Sequence, residues 1–258
     1  MSEHVLIDKA GGVLTLTLNR PDKKNALTRP MYKALGEAID AAEFDRDVAC
    51  ILIQAEGDIF TAGNDIGDFA ALNAGDAETE AALKNNPLLA ALSRAKTPIV
   101  AAVQGRAVGI GVTMLLHCDL VFVAEDALLT TPFVNLALVP EAASSILLTA
   151  RIGHVRAFSM FVLGEAVDGR TAVAWGLANA AAPAAELQDR ALAAAREVAR
   201  RPPSAVAVTK ALMRDVAAIA ARMDLERDHF LAQLKTAEAR EAFAAFAERR
   251  PPDFSKLA

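Results

Sequence analysis

Chemistry in this chain could concentrate at two glycine-containing segments and one isolated carboxylate. Phe60-Thr61-Ala62-Gly63-Asn64-Asp65-Ile66 and Gly105-Arg106-Ala107-Val108-Gly109-Ile110-Gly111 each follow a run that reads as a strand, and the second opens a helix. Glycine lets a ligand approach the main chain closely, and a helix start leaves amide N–H groups without acceptors. Two such amides aimed at one point would make an oxyanion hole, which stabilises charge developing on a carbonyl oxygen. From spacing alone, ordinary tight turns are the favoured reading, since most glycine-rich turns merely turn the chain. Glu141, in Val139-Pro140-Glu141-Ala142-Ala143-Ser144-Ser145, is the candidate acid or base. Read alone, it also suits a helix N-terminus, which would lower its pKa, whereas burial beside Phe133, Leu136 and Leu138 would raise it.

Several other chemistries lose ground. Gly109-Ile110-Gly111 continues as Val-Thr-Met and is not a dinucleotide fingerprint, and neither a G-x-S-x-G elbow nor a phosphate-binding P-loop occurs. His4, His117, His154 and His229 are scattered without metal-ligand spacing. His117, on an apolar stretch, reads as a satisfied core histidine. Asp65 and Asp119 read as residues that fix loops and helix ends, and Ser144 and Ser145 could orient Glu141.

The elements that must position these residues begin with Val13–Leu18, where Leu14, Leu16 and Leu18 alternate with threonines in the period of a half-buried strand. Thr28 can cap a helix with Met31, Leu35, Ala38, Ile39 and Ala42 on one stripe. Ala49–Gln54 reads as a buried strand, Glu78–Arg94 as a helix broken near Pro87, and Ile99–Val103, Leu120–Ala124 and Ala127–Thr130 as strands. Pro140-Glu141 should open a helix, because proline suits the first helical position. Beyond Gly169 the chain is alanine-rich and reads as helical, with a break at Pro202-Pro203 and one long final helix over Met223–Glu248.

The bulk properties agree with an α/β chain of 258 residues whose 53% hydrophobic content is mostly not aromatic (5%), so that alanine-rich helices can pack closely. The net charge of −5 and the lack of a long basic run argue against nucleic-acid binding. Cys50 and Cys118 have no C-x-x-C partner and read as buried thiols in a reducing compartment. The start of the chain has no apolar signal core, and Val108–Ala124 is interrupted by His117 and Asp119, so neither export nor a membrane span is expected. A cytoplasmic location is the expectation.

The two glycine segments, with Cys118-Asp119 downstream, resemble the crotonase (enoyl-CoA hydratase/isomerase) superfamily. Leu18-Asn-Arg-Pro-Asp-Lys-Lys-Asn-Ala-Leu27 is similar to its N-terminal signature, and Phe246-Ala-Glu-Arg-Arg-Pro-Pro-Asp-Phe254 to its tail. The resemblance implies an α/β spiral of ββα units, with an acyl-CoA-binding core over residues 1–200 and a helical region over 201–258 that packs subunits into homotrimers or hexamers. It implies that the N–H groups of Asn64 and Ile110 hold a thioester oxygen. Lys24, Ala26, Ala62, Gly63, Asn64, Asp65, Ile66, Gly109 and Phe133 would then line the acyl-CoA substrate. No metal and no cofactor beyond the substrate's own coenzyme A are implied.

Where the superfamily's hydratases carry two glutamates, this chain has Thr113 and Phe133, neither of which is a carboxylate. Val139-Pro-Glu-Ala-Ala-Ser-Ser145, with Gly-Ile-Gly-Val-Thr113 and Thr-Pro-Phe133, instead resembles peroxisomal-type Δ3,Δ2-enoyl-CoA isomerases. That resemblance makes Glu141 the proton shuttle. The alternatives are hydration or another enolate reaction of the superfamily, and an acyl-CoA-binding scaffold without turnover.

Overall fold

The computed structural model describes residues 2–65 and 84–256. β1 (Val5–Ala10) and β2 (Val13–Leu18) form an antiparallel hairpin. From β2 the main sheet runs parallel through β3 (Cys50–Ala55), β4 (Ile99–Val103), β6 (Leu120–Ala124) and β9 (Ala180–Ala182), in the order β1-β2-β3-β4-β6-β9. A second sheet, β5-β7-β8, joins β5 (Arg106–Val108), β7 (Leu128–Thr130) and β8 (Val167–Asp168).

Helices cover the parallel strands, which explains why β4 is buried along its whole length. β2 is also more buried than its alternation suggests: Thr17 is buried along with the leucines. It packs against α1 (Arg29–Ala42) and α7 (Ala184–Ala199). The α1 stripe is buried as expected, although Thr28 occupies the cap position without a side-chain capping bond. On α7, Leu187, Ala191 and Ala195 recur every four residues and face β3, β4 and β6, where the short alanine side chains allow close approach.

Of the helix expected over Glu78–Arg94, residues 78–83 lie outside the described residues, and α2 covers Pro87–Arg94. The break expected near Pro87 is present: Lys84 is helical, the chain leaves the helix at Asn85 and Asn86, and α2 starts afresh at Pro87, capped by Asn86, which accepts the Leu89 amide at 3.2 Å. α1 and α2 pack tightly: a Cβ on Gly36 would lie 2.6 Å from the Pro87 carbonyl.

Four short helices follow in the middle of the chain: α3 (Ile110–Thr113), α4 (Ser144–Ile152), α5 (His154–Phe158) and α6 (Gly169–Ala174). The helix expected to open at Pro140 begins only at Ser144, because Ala142 and Ala143 adopt left-handed backbone angles (φ +61° and +57°). After Pro202 come α8 (Pro203–Met213), α9 (Val216–Leu234) and α10 (Ala237–Ala247). The single final helix is thus two, divided at Thr236, whose hydroxyl accepts the Ala239 amide and caps α10. β9 interrupts the alanine-rich region expected to be wholly helical. None of the described helices is long and apolar enough to cross a membrane.

Candidate active site

The two glycine segments lie side by side. The Thr61 amide donates to the Arg106 carbonyl (3.0 Å), and the Val108 amide donates back to the Thr61 carbonyl (3.1 Å). Thr61 and Ala107 thereby form a parallel bridge, and three residues further along each segment stand Asn64 and Ile110. Gly63 is required between them: its φ is +93°, and a Cβ there would lie 2.9 Å from the Val108 carbonyl oxygen. On the other flank the Ala62 and Asp65 amides donate to Lys24 and Leu27, and the Leu27 amide donates to Gly63. The turn at Gly63 breaks the strand alternation, so the Asn64 N–H points away from this flank. Ile110 is the first residue of α3, where amides have no intrahelical acceptor. Among the described residues, neither the Asn64 nor the Ile110 N–H donates a hydrogen bond.

The chain from Arg20 to Leu27 is pinned beside these loops. Asn25, fully buried and left-handed (φ +52°), donates to the Glu56 and Ile59 carbonyls and accepts the Arg20 amide. Its own carbonyl accepts the Thr61 hydroxyl. Arg20 pairs with Asp65 at 2.6 Å and donates to the Ala26 carbonyl, so Asp65 fixes a loop as expected. Lys24 and Ala26 consequently flank Ala62, Gly63, Asn64 and Asp65, with Lys24 exposed. Ile66 lies outside the described residues.

Glu141 is half-buried on the wall of a cavity of about 530 Å³. Tyr32 and Asn64 line the same cavity, and α2 and α9 enclose it with Leu89, Met223 and Phe230 among other side chains. The Tyr32 hydroxyl donates to Asn64 Oδ1. Thr113, on α3, donates its hydroxyl to Glu141 Oε1 at 2.5 Å. Burial pushes the Glu141 carboxyl up to about 7; the Thr113 hydrogen bond opposes that rise and the nearby Glu226 carboxylate adds to it. Burial therefore outweighs any helix-terminus effect, and the reason is geometric. The N-terminus of α4 receives Glu226 instead, whose Oε1 accepts the Ser145 amide at 2.9 Å. A carboxylate poised near neutrality can both take and return a proton.

The remaining expectations divide. Phe133 is buried and packs on Phe161, with ring centroids 6.1 Å apart, and is not among the residues lining this cavity. Gly109 donates to the Thr130 carbonyl behind the second loop. The Ser144 and Ser145 hydroxyls do not orient Glu141, whose carboxylate takes the Thr113 hydroxyl instead. His117 is a satisfied core residue. Burial pushes its pKa down to about 3, so the ring is neutral, taking Arg214 Nη2 at one nitrogen and contacting the Ala142 carbonyl with the other. Asp119 accepts the Ile99 amide and pairs with Lys210 at 2.7 Å. The free Cys50 and Cys118 thiols are buried and pushed up to about 12, which leaves them inert as nucleophiles.

Sequence reasoning missed the service Thr113 gives to Glu141, and it missed Glu226 altogether. A signal for Glu226 was present. Ile219, Met223, Glu226, Phe230 and Leu234 recur at helical spacing along one face of α9, and an acid in such a stripe is out of place.

Comparison with known proteins identifies the family. The family model for enoyl-CoA hydratase/isomerase matches residues 8–256. A 1,2-epoxyphenylacetyl-CoA isomerase of Escherichia coli is 31% identical over 260 residues, 99% of each chain. The enoyl-CoA delta isomerase 2 of Rattus norvegicus is 32% identical over 83% of this chain and 55% of its own. Relatives named as enoyl-CoA hydratases match at comparable identity. A crystal structure of an enoyl-CoA hydratase/isomerase from Pseudoalteromonas atlantica superposes with a TM-score of 0.89 at 37% identity, covering 98% of this chain and 100% of that one. The paired glycine loops, the strap beside them and the cavity carboxylate thus stand on a crotonase-type α/β fold, and the chain belongs to the enoyl-CoA hydratase/isomerase family.

Proposed function

We propose that this enzyme moves a double bond from C3 to C2 of an acyl-CoA, with Glu141 as the single base. Glu141 removes a proton from C2, the resulting dienolate oxygen rests against the Asn64 and Ile110 N–H groups, and the same carboxyl returns the proton at C4. One group serves both steps because its pKa of about 7 leaves each protonation state accessible near neutral pH. Lys24, Ala26, Ala62 and Gly63 would hold the CoA portion, and the cavity between α2 and α9 would take the acyl chain. No metal or redox cofactor enters this reading, and the expected homotrimer or hexamer remains part of the proposal.

The observation that carries the proposal is the hydrogen bond from Thr113 to Glu141. Thr113 stands where the resemblance puts one hydratase glutamate, and here that residue supports the base instead of supplying a second carboxylate. Matched assays on one acyl chain test the reading: 3-enoyl-CoA isomerisation should exceed hydration of the 2-enoyl-CoA. Glu141→Gln should lower isomerisation by about a hundredfold to ten-thousandfold with little change in substrate binding. Hydration as fast as isomerisation would favour the hydratase reading, and near-normal turnover by Glu141→Gln would remove Glu141 from the mechanism.

A further inference from the structure

Glu141 is followed by two consecutive alanines in left-handed backbone conformation, Ala142 (φ +61°) and Ala143 (φ +57°). Such a conformation is strained for a residue that carries a Cβ and persists only where its surroundings hold it. Both neighbours that hold this link come from outside it. The His117 ring contacts the Ala142 carbonyl through Nε2 at 2.8 Å. Arg214 fixes the ring from behind, donating to His117 Nδ1 at 3.0 Å and to the His117 carbonyl at 3.2 Å. Because Arg214 can only donate, Nδ1 is the acceptor and Nε2 carries the proton that goes to Ala142. On the next residues Glu226, buried within α9, accepts the Ser145 amide at 2.9 Å, and the Ala143 amide also favours its charge. Arg214 follows α8 and Glu226 lies within α9, so the C-terminal helices reach the catalytic loop from two sides.

We propose that His117, backed by Arg214, and Glu226 form a clamp that holds the strained Ala142–Ala143 link and thereby aims the Glu141 carboxylate at the substrate. Both are positioning residues; neither lines the cavity. The proposal rests on the reading of Glu141 as the base. It explains why a histidine and a glutamate are buried among apolar side chains, and why Glu226, rather than Glu141, takes the N-terminus of α4.

The test compares side chains of equal and shorter reach in the full-length chain. Glutamine at position 117 offers an N–H where Nε2 stands, and glutamine at 226 keeps an acceptor where Oε1 stands, whereas His117→Asn and Glu226→Asp fall short. The short variants should lower kcat by about tenfold to a hundredfold while leaving KM nearly unchanged, since misplacing a reacting group by about 1 Å costs that much. His117→Gln and Glu226→Gln should keep most of the wild-type kcat. Hydrogen exchange over residues 142–148 supplies a readout independent of turnover: it should accelerate in Glu226→Asp and not in Glu226→Gln. Wild-type kcat in both short variants overturns the clamp, as do equal losses in Gln and Asp at 226, or unchanged exchange in Glu226→Asp. Glu141→Gln, assayed alongside, separates the two ideas. If it retains turnover, the base assignment fails whatever the exchange shows; if it is inactive and the short variants are not, the clamp alone fails.

Discussion

The chemistry of the site turns on how one carboxylate is kept near neutrality. Burial raises the Glu141 pKa from 4.5 to about 7, and the Thr113 hydroxyl, by donating to the charged form, restrains the rise. Removing that donor should raise the pKa further. Thr113→Val is therefore expected to move the acidic limb of the kcat–pH profile to higher pH, while Thr113→Ser leaves it in place; an unmoved limb in Thr113→Val would show that the hydrogen bond does not reach the working base. The same shift has a consequence for stability. The folded state binds the Glu141 proton more tightly than the unfolded chain, so folding gains from protonation below the ordinary carboxylate range and loses that gain as pH rises through about 7. Glu141→Gln carries no such charge. Its melting temperature, relative to wild type, should be higher at pH 8 than at pH 5, which is checked by thermal unfolding at the two values.

At the scale of elements, α9 turns out to belong to the site. Its apolar residues Phe230, Leu231 and Leu234 are buried in the chain's own core, and Phe230 and Leu231 also line the cavity. A stripe that the sequence offers equally to a neighbouring subunit is thus used within the chain, packed towards α2. Leu231→Ala should destabilise the protein by about 2–4 kcal/mol through lost burial and a residual cavity. Urea denaturation measures this, and an unchanged midpoint would mean that the helix is not held by these contacts. Legibility varied element by element for physical reasons. Val13–Leu18, Ile99–Val103 and Leu120–Ala124 were readable because branched and large apolar side chains cluster there. β9 is three alanines, whose preference is helical, and only pairing with β6 makes it a strand.

The whole molecule carries an inversion on α8 that bears on assembly. The buried residue of this helix is Lys210, reaching Asp119 and the Thr97 carbonyl, whereas Val208, Leu212 and Met213 are exposed, the last two by 84% and 80%. Large apolar side chains grouped on a surface mark an association face. We expect the wild-type chain to self-associate through it as the trimer or hexamer its family resemblance implies. Leu212→Asp with Met213→Asp should lower the mass seen by light scattering, and a monomeric wild type, or an unchanged mass in the double variant, would count against this face.

Taken by itself, the order of residues determined the family, the α/β class, the two glycine loops and the carboxylate, because these depend on local chemistry. A left-handed turn at Gly63, an apolar strand or a Pro-Glu pair is specified within a few residues. The resemblance it carries also implies that Thr113 and Phe133 stand where the hydratases have their two glutamates. What only the tertiary structure decided are the relations among distant segments. The register between the two glycine loops comes from the Thr61–Ala107 bridge, formed by residues 46 positions apart. Whether Glu141 is acidic or near neutral depended on long-range packing: burial decided it, and Glu226, 85 residues onward, adds to the rise while occupying the N-terminus that Glu141 was expected to serve. Burial and through-space charge are properties of the packed molecule, so no local pattern encodes them.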